Sequence, residues 1–170
     1  MSKVYKGAIQ SDLIIEKGDD ASQVTSIGGS LYVRQGATCD LPQVTSIGGF
    51  LEIKPRSKLV APKLETIHGQ PVGDPETQGA LLKQVAEAAL ADPKNFIMND
   101  WHNESGGCGT AHCVAGWAVH LAGEDGYALE KAVGPATAGA LLLGTDAASM
   151  FFLSRDEATA RLEMIRQGVA

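Results

Sequence analysis

The heptapeptide Gln-Val-Thr-Ser-Ile-Gly-Gly occurs twice without change, at residues 23–29 and 43–49, a spacing of 20. A verbatim repeat at that period constrains the fold more than any composition does. It demands one supersecondary unit per period, stacked on its neighbours because a single unit cannot bury its own apolar face. Setting 25–44 against 45–64 keeps Thr, Ser, Ile, Gly, Gly, Leu and Pro, and pairs Val33 with Ile53 and Arg34 with Lys54. Upstream, residues 12–16 read as an earlier, shortened coil, and 64–69 begin one more that does not finish. Within each coil Leu31-Tyr32-Val33 and Leu51-Glu52-Ile53 alternate, so the aliphatic residues point inward and Tyr32 and Glu52 outward. The Gly pair before each strand suits a turn of positive φ. Pro42 and Pro62 fall on the return side, where no ladder donor is needed. The expectation over 1–70 is a short β-solenoid of about 20-residue coils.

The repeat also assigns two residues that chemistry might otherwise claim. Cys39 aligns with Leu59 and reads as a small core hydrophobe, and His68 takes the place of the first Gly of the pair, as a capping or surface residue. Runs of Thr-Ser-Ile-Gly-Gly-x-Leu-x-Ile resemble the leucine-rich-repeat-like segments of phage and bacterial proteins. The chain lacks the Asn of the usual leucine-rich-repeat pattern, which favours a straight, narrow stack over a horseshoe.

Residues 71–75 form a turn-rich linker, after which the period changes from strand to helix. Asp74 is a candidate N-cap with Pro75 at the first helical position, and Leu81, Leu82, Val85 and Ala89 keep one apolar face until Asp92-Pro93. Further helices are expected over about 111–121, closed by Gly123, over 135–143, closed by Gly144, and over about 146–152. Ser154 to Glu157 is a capping-box sequence opening a last helix that ends near Gly168. The fold class is therefore α+β: a short N-terminal β-solenoid, then a small all-helical domain over 76–170.

Residues 101–117 hold the densest chemistry. Phe96-x-Met98-x-x-Trp101 followed by Cys108-Gly109-Thr110-x-x-Cys113-x-Ala115-Gly116 resembles a widespread group of phage and bacterial proteins, in which a similar loop enters an alanine-rich helix. Leu142-Leu143-Gly144 and Phe151-Phe152 fit the later elements of that group. The resemblance covers roughly 94–165 and implies a domain type, not an activity.

Three chemical readings compete for this loop. Cys108 in a Gly-rich stretch before a helix N-terminus, where the dipole favours a thiolate, is a candidate nucleophile with His112 as candidate base. The Cys-Gly opening is similar to that of papain-like peptidases, but His102 and His112 are close in sequence and the one later His is His120. His102, Cys108, His112 and Cys113 are candidate zinc ligands, though their spacing is not a familiar finger form. Residues 106–110 could form an anion nest, against which stands a plain tight loop with Thr110 as N-cap. Cys113 and Trp117, four apart, read as core, and Gly116 with Ala115 and Ala118 as a close helix crossing.

Charge and composition narrow the function classes. Residues 1–72 carry a balance of +1 and the remainder −7, so the acidic second half makes duplex nucleic acid an unsuitable partner. No apolar run approaches membrane-spanning length, the first residues lack the apolar core of a secretory signal, and three cysteines argue against a disulfide framework. The expected compartment is a reducing cytoplasm. With most residues explained by structure, the favoured function is a non-enzymatic protein–protein interaction module of a phage or mobile element, for example a host-takeover or anti-defence inhibitor. Its binding surface would comprise Tyr32, Arg34, Glu52, Lys54 and Arg56, and no cofactor is expected unless the zinc reading holds. A cysteine-dependent hydrolase or transferase is the alternative. A homodimer could form by edge pairing at an exposed solenoid end.

Overall fold

The computed structural model describes residues 2–103 and 111–169, and the chain divides after Val72 into two compact units. The first is the solenoid. Strands β1 (Val4–Ile9), β3 (Asp20–Ile27), β6 (Ser46–Ile47) and β9 (Thr66–Ile67) stack in parallel as one sheet. Strands β2 (Leu13–Ile15), β4 (Leu31–Val33) and β7 (Leu51–Ile53) make a second parallel sheet, and β5 (Thr38–Asp40) and β8 (Lys58–Val60) a third. The register pairs Leu31 with Leu51 and Val33 with Ile53, the offset of 20 read from the repeat, while Leu13 pairs with Leu31, so the first coil is two residues shorter. Leu13, Ile15, Leu31, Val33, Leu51 and Ile53 are buried and the residues between them are not, as period-2 alternation requires.

The glycine pairs have a different role from the expected one. None of Gly28, Gly29, Gly48 and Gly49 has positive φ. Each instead sits against the backbone of the coil before it. A Cβ on Gly29 would lie 2.5 Å from the Asp12 nitrogen, and one on Gly48 would overlap the Gly28 carbonyl oxygen. The missing side chain lets successive coils touch backbone to backbone. The left-handed turn falls elsewhere, at Gly36 (φ 72°) and at Arg56 (φ 59°), which is the same position one coil later. Beside the glycines a polar ladder climbs the stack: Ser30 N donates to Asp12 Oδ1 at 2.7 Å and Phe50 N donates to Ser30 Oγ at 3.1 Å.

The unfinished last coil ends as an antiparallel hairpin of β9 and β10 (Gln70–Pro71), whose two turn residues, His68 (φ 51°) and Gly69 (φ 72°), are both left-handed. His68 stacks on Phe50 with ring centroids 4.8 Å apart, so it does cap the coil below it. Cys39 is fully buried opposite Leu59, as its alignment predicts.

The second unit holds α1 (Pro75–Ala91), α2 (Val114–Leu121), α3 (Gly123–Val133), α4 (Pro135–Leu143), α5 (Thr145–Ala148) and α6 (Arg155–Gln167). Asp74 caps α1 by accepting from Thr77 N at 2.9 Å, and Ser154 with Glu157 forms the capping box of α6, which closes on left-handed Gly168. Buried Gln78 donates from Nε2 to the Leu141 carbonyl at 3.0 Å and so fastens α1 to α4. Small residues bring α4 onto α2: a Cβ on Gly139 would lie 2.7 Å from the Ala115 methyl.

Three sequence expectations change here. The helix expected from 111 starts at Val114, because Ala111 and His112 are drawn into strand β12 (Ala111–His112), antiparallel to β11 (His102–Asn103). Helix α3 was not expected: Gly123 was read as closing the helix before it, and nothing was assigned between Gly123 and Pro135. Gly126 is there for proximity, since a Cβ would overlap the Val119 carbonyl of α2. The helix placed over 146–152 is a single turn at Thr145–Ala148, followed by turns.

Candidate functional site

The two-stranded ribbon sets His102 directly opposite His112. Backbone bonds hold His112 from the other side as well: its N–H donates to the Asn95 carbonyl at 2.9 Å, and its carbonyl accepts from Ile97 N at 3.0 Å. Cross-strand neighbours on one face bring their side chains together, and here the two imidazoles meet edge to face, Nδ1 to Nδ1, at 2.7 Å. The other nitrogen of His102, Nε2, lies 2.8 Å from Glu130 Oε1 on α3. A carboxylate only accepts, so Nε2 of His102 carries a proton. The short Nδ1–Nδ1 contact then needs one bridging proton, on one ring or the other according to their tautomers.

His112 is 1% exposed. Burial first, then the neighbouring His120 and His102, push its pKa down to about 4, so the ring is neutral near pH 7. His120 stacks on it at 4.7 Å and shares a 3.0 Å hydrogen bond between its Nδ1 and the Tyr127 hydroxyl. Burial and Glu130 raise the Tyr127 phenol above its usual value. The Trp117 indole packs against His112 with ring centroids 5.1 Å apart, and its buried Nε1 has no hydrogen-bond partner among the described residues. Three of the chain's four histidines thus gather with Tyr127, Glu130 and Trp117 in one cluster.

Of the residues singled out in the sequence, His102 and His112 come together. Cys113 does not join them. It is the N-cap of α2, its sulfur accepts from Gly116 N at 3.4 Å, and burial pushes its thiol up to about 11. It lines a pocket of about 260 Å³ with Met98, Asp100, Trp101 and Phe152. Trp101 and Cys113 flank the two histidines in sequence, and strand alternation turns such neighbours to the other face of the ribbon. Cys108 and the proposed nest at 106–110 lie outside the described residues, as does Thr110. The helix N-terminus invoked for Cys108 begins at Val114, with Cys113 as its cap. Among the described residues, no group of three His, Cys, Asp or Glu side chains converges as metal ligands. Gly116 is close not to a helix but to the ribbon: a Cβ there would overlap the Trp101 carbonyl oxygen.

Glu130, Tyr127 and His120 were missed as site residues. Tyr127 and Glu130 are three apart on the unexpected helix α3, and the spacing that puts them on one face was the available signal.

On the solenoid, Tyr32 and Glu52 stand in register on the outer face of the β2–β4–β7 sheet, preceded by Ile14, which is 41% exposed. Arg34 and Lys54 follow the strand ends, and Lys54 pairs with Glu52 at 3.0 Å. Arg56 lies in the left-handed turn beyond β7, not on the strand.

Both described cysteine thiols are deeply buried, and burial pushes Cys39 up to about 12. Neither should alkylate with iodoacetamide near neutral pH in the native protein, whereas the unfolded chain should label at both. Peptide mass mapping checks this, and native labelling of Cys113 would contradict its burial.

Comparison of the chain with protein-family models, with curated proteins and with solved structures finds no match. Among the described residues no helix is long and apolar enough to cross a membrane.

Proposed function

We propose that the protein is a non-enzymatic protein–protein interaction module that binds through the outer face of the β2–β4–β7 sheet. One observation carries this reading: Ile14, Tyr32 and Glu52 form a registered outward ladder with Arg34 and Lys54 beside it. Stacked coils present such rows on a rigid backbone, so little conformational entropy is lost when a partner docks. An aromatic residue with arginine and an exposed isoleucine is the composition of an interface centre, and the surplus of cations suits an acidic partner surface. The acidic helical unit, with a balance of −7, adds solubility and disfavours nucleic acid. The resemblance of the repeats and of the Cys108–Gly116 motif to phage and bacterial proteins supports a role in phage or mobile-element biology, of which inhibition of a host or defence protein by contact is one form.

The test compares wild type with a Tyr32→Ala/Arg34→Glu double variant as bait in host lysate. These side chains are not buried, so circular dichroism should be unchanged. A partner retained by wild type and reduced at least about tenfold in the variant, as expected for loss of a hot-spot pair, supports the face. Identical capture by both proteins, or capture by neither above control beads, rejects it.

A further inference from the structure

We propose that the groove between α1 and α6 binds a small amphiphilic carboxylate, with its apolar tail against Leu82, Met150 and Ile165 and its headgroup at Lys83 and Arg161. The site lies wholly within the helical unit and rests on no solenoid residue, so it goes beyond the interface reading.

Helical spacing builds the groove. Helix α1 packs on α6. Gly79, Leu82 and Lys83, at i, i+3 and i+4, share one face of α1, and Arg161 and Ile165, four apart, share one face of α6. With Asp146 of α5 and Met150 just beyond it, these residues line a cavity of about 400 Å³. That volume falls within the roughly 300–1,000 Å³ of small-molecule sites. Met150 is buried, and Leu82 and Ile165 are half-buried.

Gly79 singles this groove out. A glycine in a helix interior weakens the helix relative to alanine, so it calls for a reason. For Gly116, Gly126 and Gly139 the reason is close approach, because backbone or a side chain stands where a Cβ would go. Gly79 has no such neighbour: nothing lies within 4 Å of the added atom, and its φ is not positive. Helical side chains lean toward the N-terminus, so Leu82 and Lys83 stand over the turn that holds Gly79. A side chain at 79 would project into that space, and glycine leaves it open to a ligand.

Charge selects the ligand. The rim carries Lys83 and Arg161 against Asp146, a balance of +1 inside a unit whose total is −7. Neither cation is ion-paired or hydrogen-bonded among the described residues. One anionic head neutralises the rim, the guanidinium fork can donate to both oxygens of a carboxylate, and the tail displaces water from the apolar lining. A neutral or cationic amphiphile gains the tail contact alone.

Octanoate, octan-1-ol and octylammonium, titrated calorimetrically into the full chain near neutral pH, separate head from tail. Octanoate should fill one saturable site. Octan-1-ol should bind about tenfold more weakly, as loss of two exposed ion pairs at the upper end of their range allows, and octylammonium more weakly still. In methyl spectra of the wild type, the Met150 resonance should move on saturation with octanoate while that of Met98 stays fixed. Gly79→Leu should raise the urea midpoint, since leucine is the better helix former, and yet abolish uptake. Lys83→Gln/Arg161→Gln should bring octanoate down to the affinity of octan-1-ol. No saturable octanoate uptake by the wild type overturns the proposal, as does a shift at Met98 without one at Met150. Full affinity in a folded Gly79→Leu protein overturns it too, and equal binding of octanoate and octylammonium by the wild type overturns the headgroup assignment.

Discussion

Gly48→Ala should disrupt the solenoid at a cost of about 3 kcal/mol, the upper end of what overpacking costs. The added methyl would overlap the Gly28 carbonyl oxygen, and the atom in the way is backbone, with no rotamer to retreat into. Nor can the coil slide. Gly48 N donates to the Ile27 carbonyl and Gly49 N to the Gly29 carbonyl, both at 2.9 Å, so separation breaks ladder bonds on either side of the clash. Gly36→Ala is the comparison. Its φ of 72° strains any L-residue by about 1–2 kcal/mol, but nothing lies within 4 Å of the new methyl. Arg56, at the equivalent position in the next coil, already tolerates that conformation. Amide exchange in β4 and β7, with urea midpoints, separates the two. Equal losses would mean that the paired glycines serve backbone conformation after all, and not coil-to-coil approach.

That contrast shows how far the sequence could be read. The period, the register of Leu31 with Leu51, the inward and outward faces and the burial of Cys39 all followed from the repeat, because translational stacking maps sequence offset directly onto spatial neighbours. What one glycine is for did not follow. Positive φ and close approach leave the same mark in a sequence, and only the neighbouring coil distinguishes them. The caps of α1 and α6 were legible because Asp74 and Ser154 act on backbone within three residues. Helix α3 was hidden for the opposite reason: Gly126 has a long-range purpose that local propensity reads as a break. The histidine cluster was half legible. His102 and His112 drew attention by type. Their meeting depends on a two-residue ribbon whose pairing carries no periodic signal, and their link to Glu130 crosses 28 residues.

The ribbon also locates the most damaging single truncation in the helical unit. Phe96 is 2% exposed, and its backbone bridges to His112 through the bonds that Asn95 and Ile97 make with that residue. Phe96→Ala removes a fully buried ring, and α2 and α4 have little room to draw closer, since a Cβ on Gly139 would already lie 2.7 Å from the Ala115 methyl. The expected loss is about 4 kcal/mol, a large share of the roughly 5–15 kcal/mol that holds a domain together. Both tryptophans of the chain, Trp101 and Trp117, lie in this unit, so the fluorescence-detected urea midpoint reports on it and not on the solenoid. A loss of less than about 1 kcal/mol, below the range for aromatic truncation in a core, would show that the surrounding side chains close over the space the ring leaves.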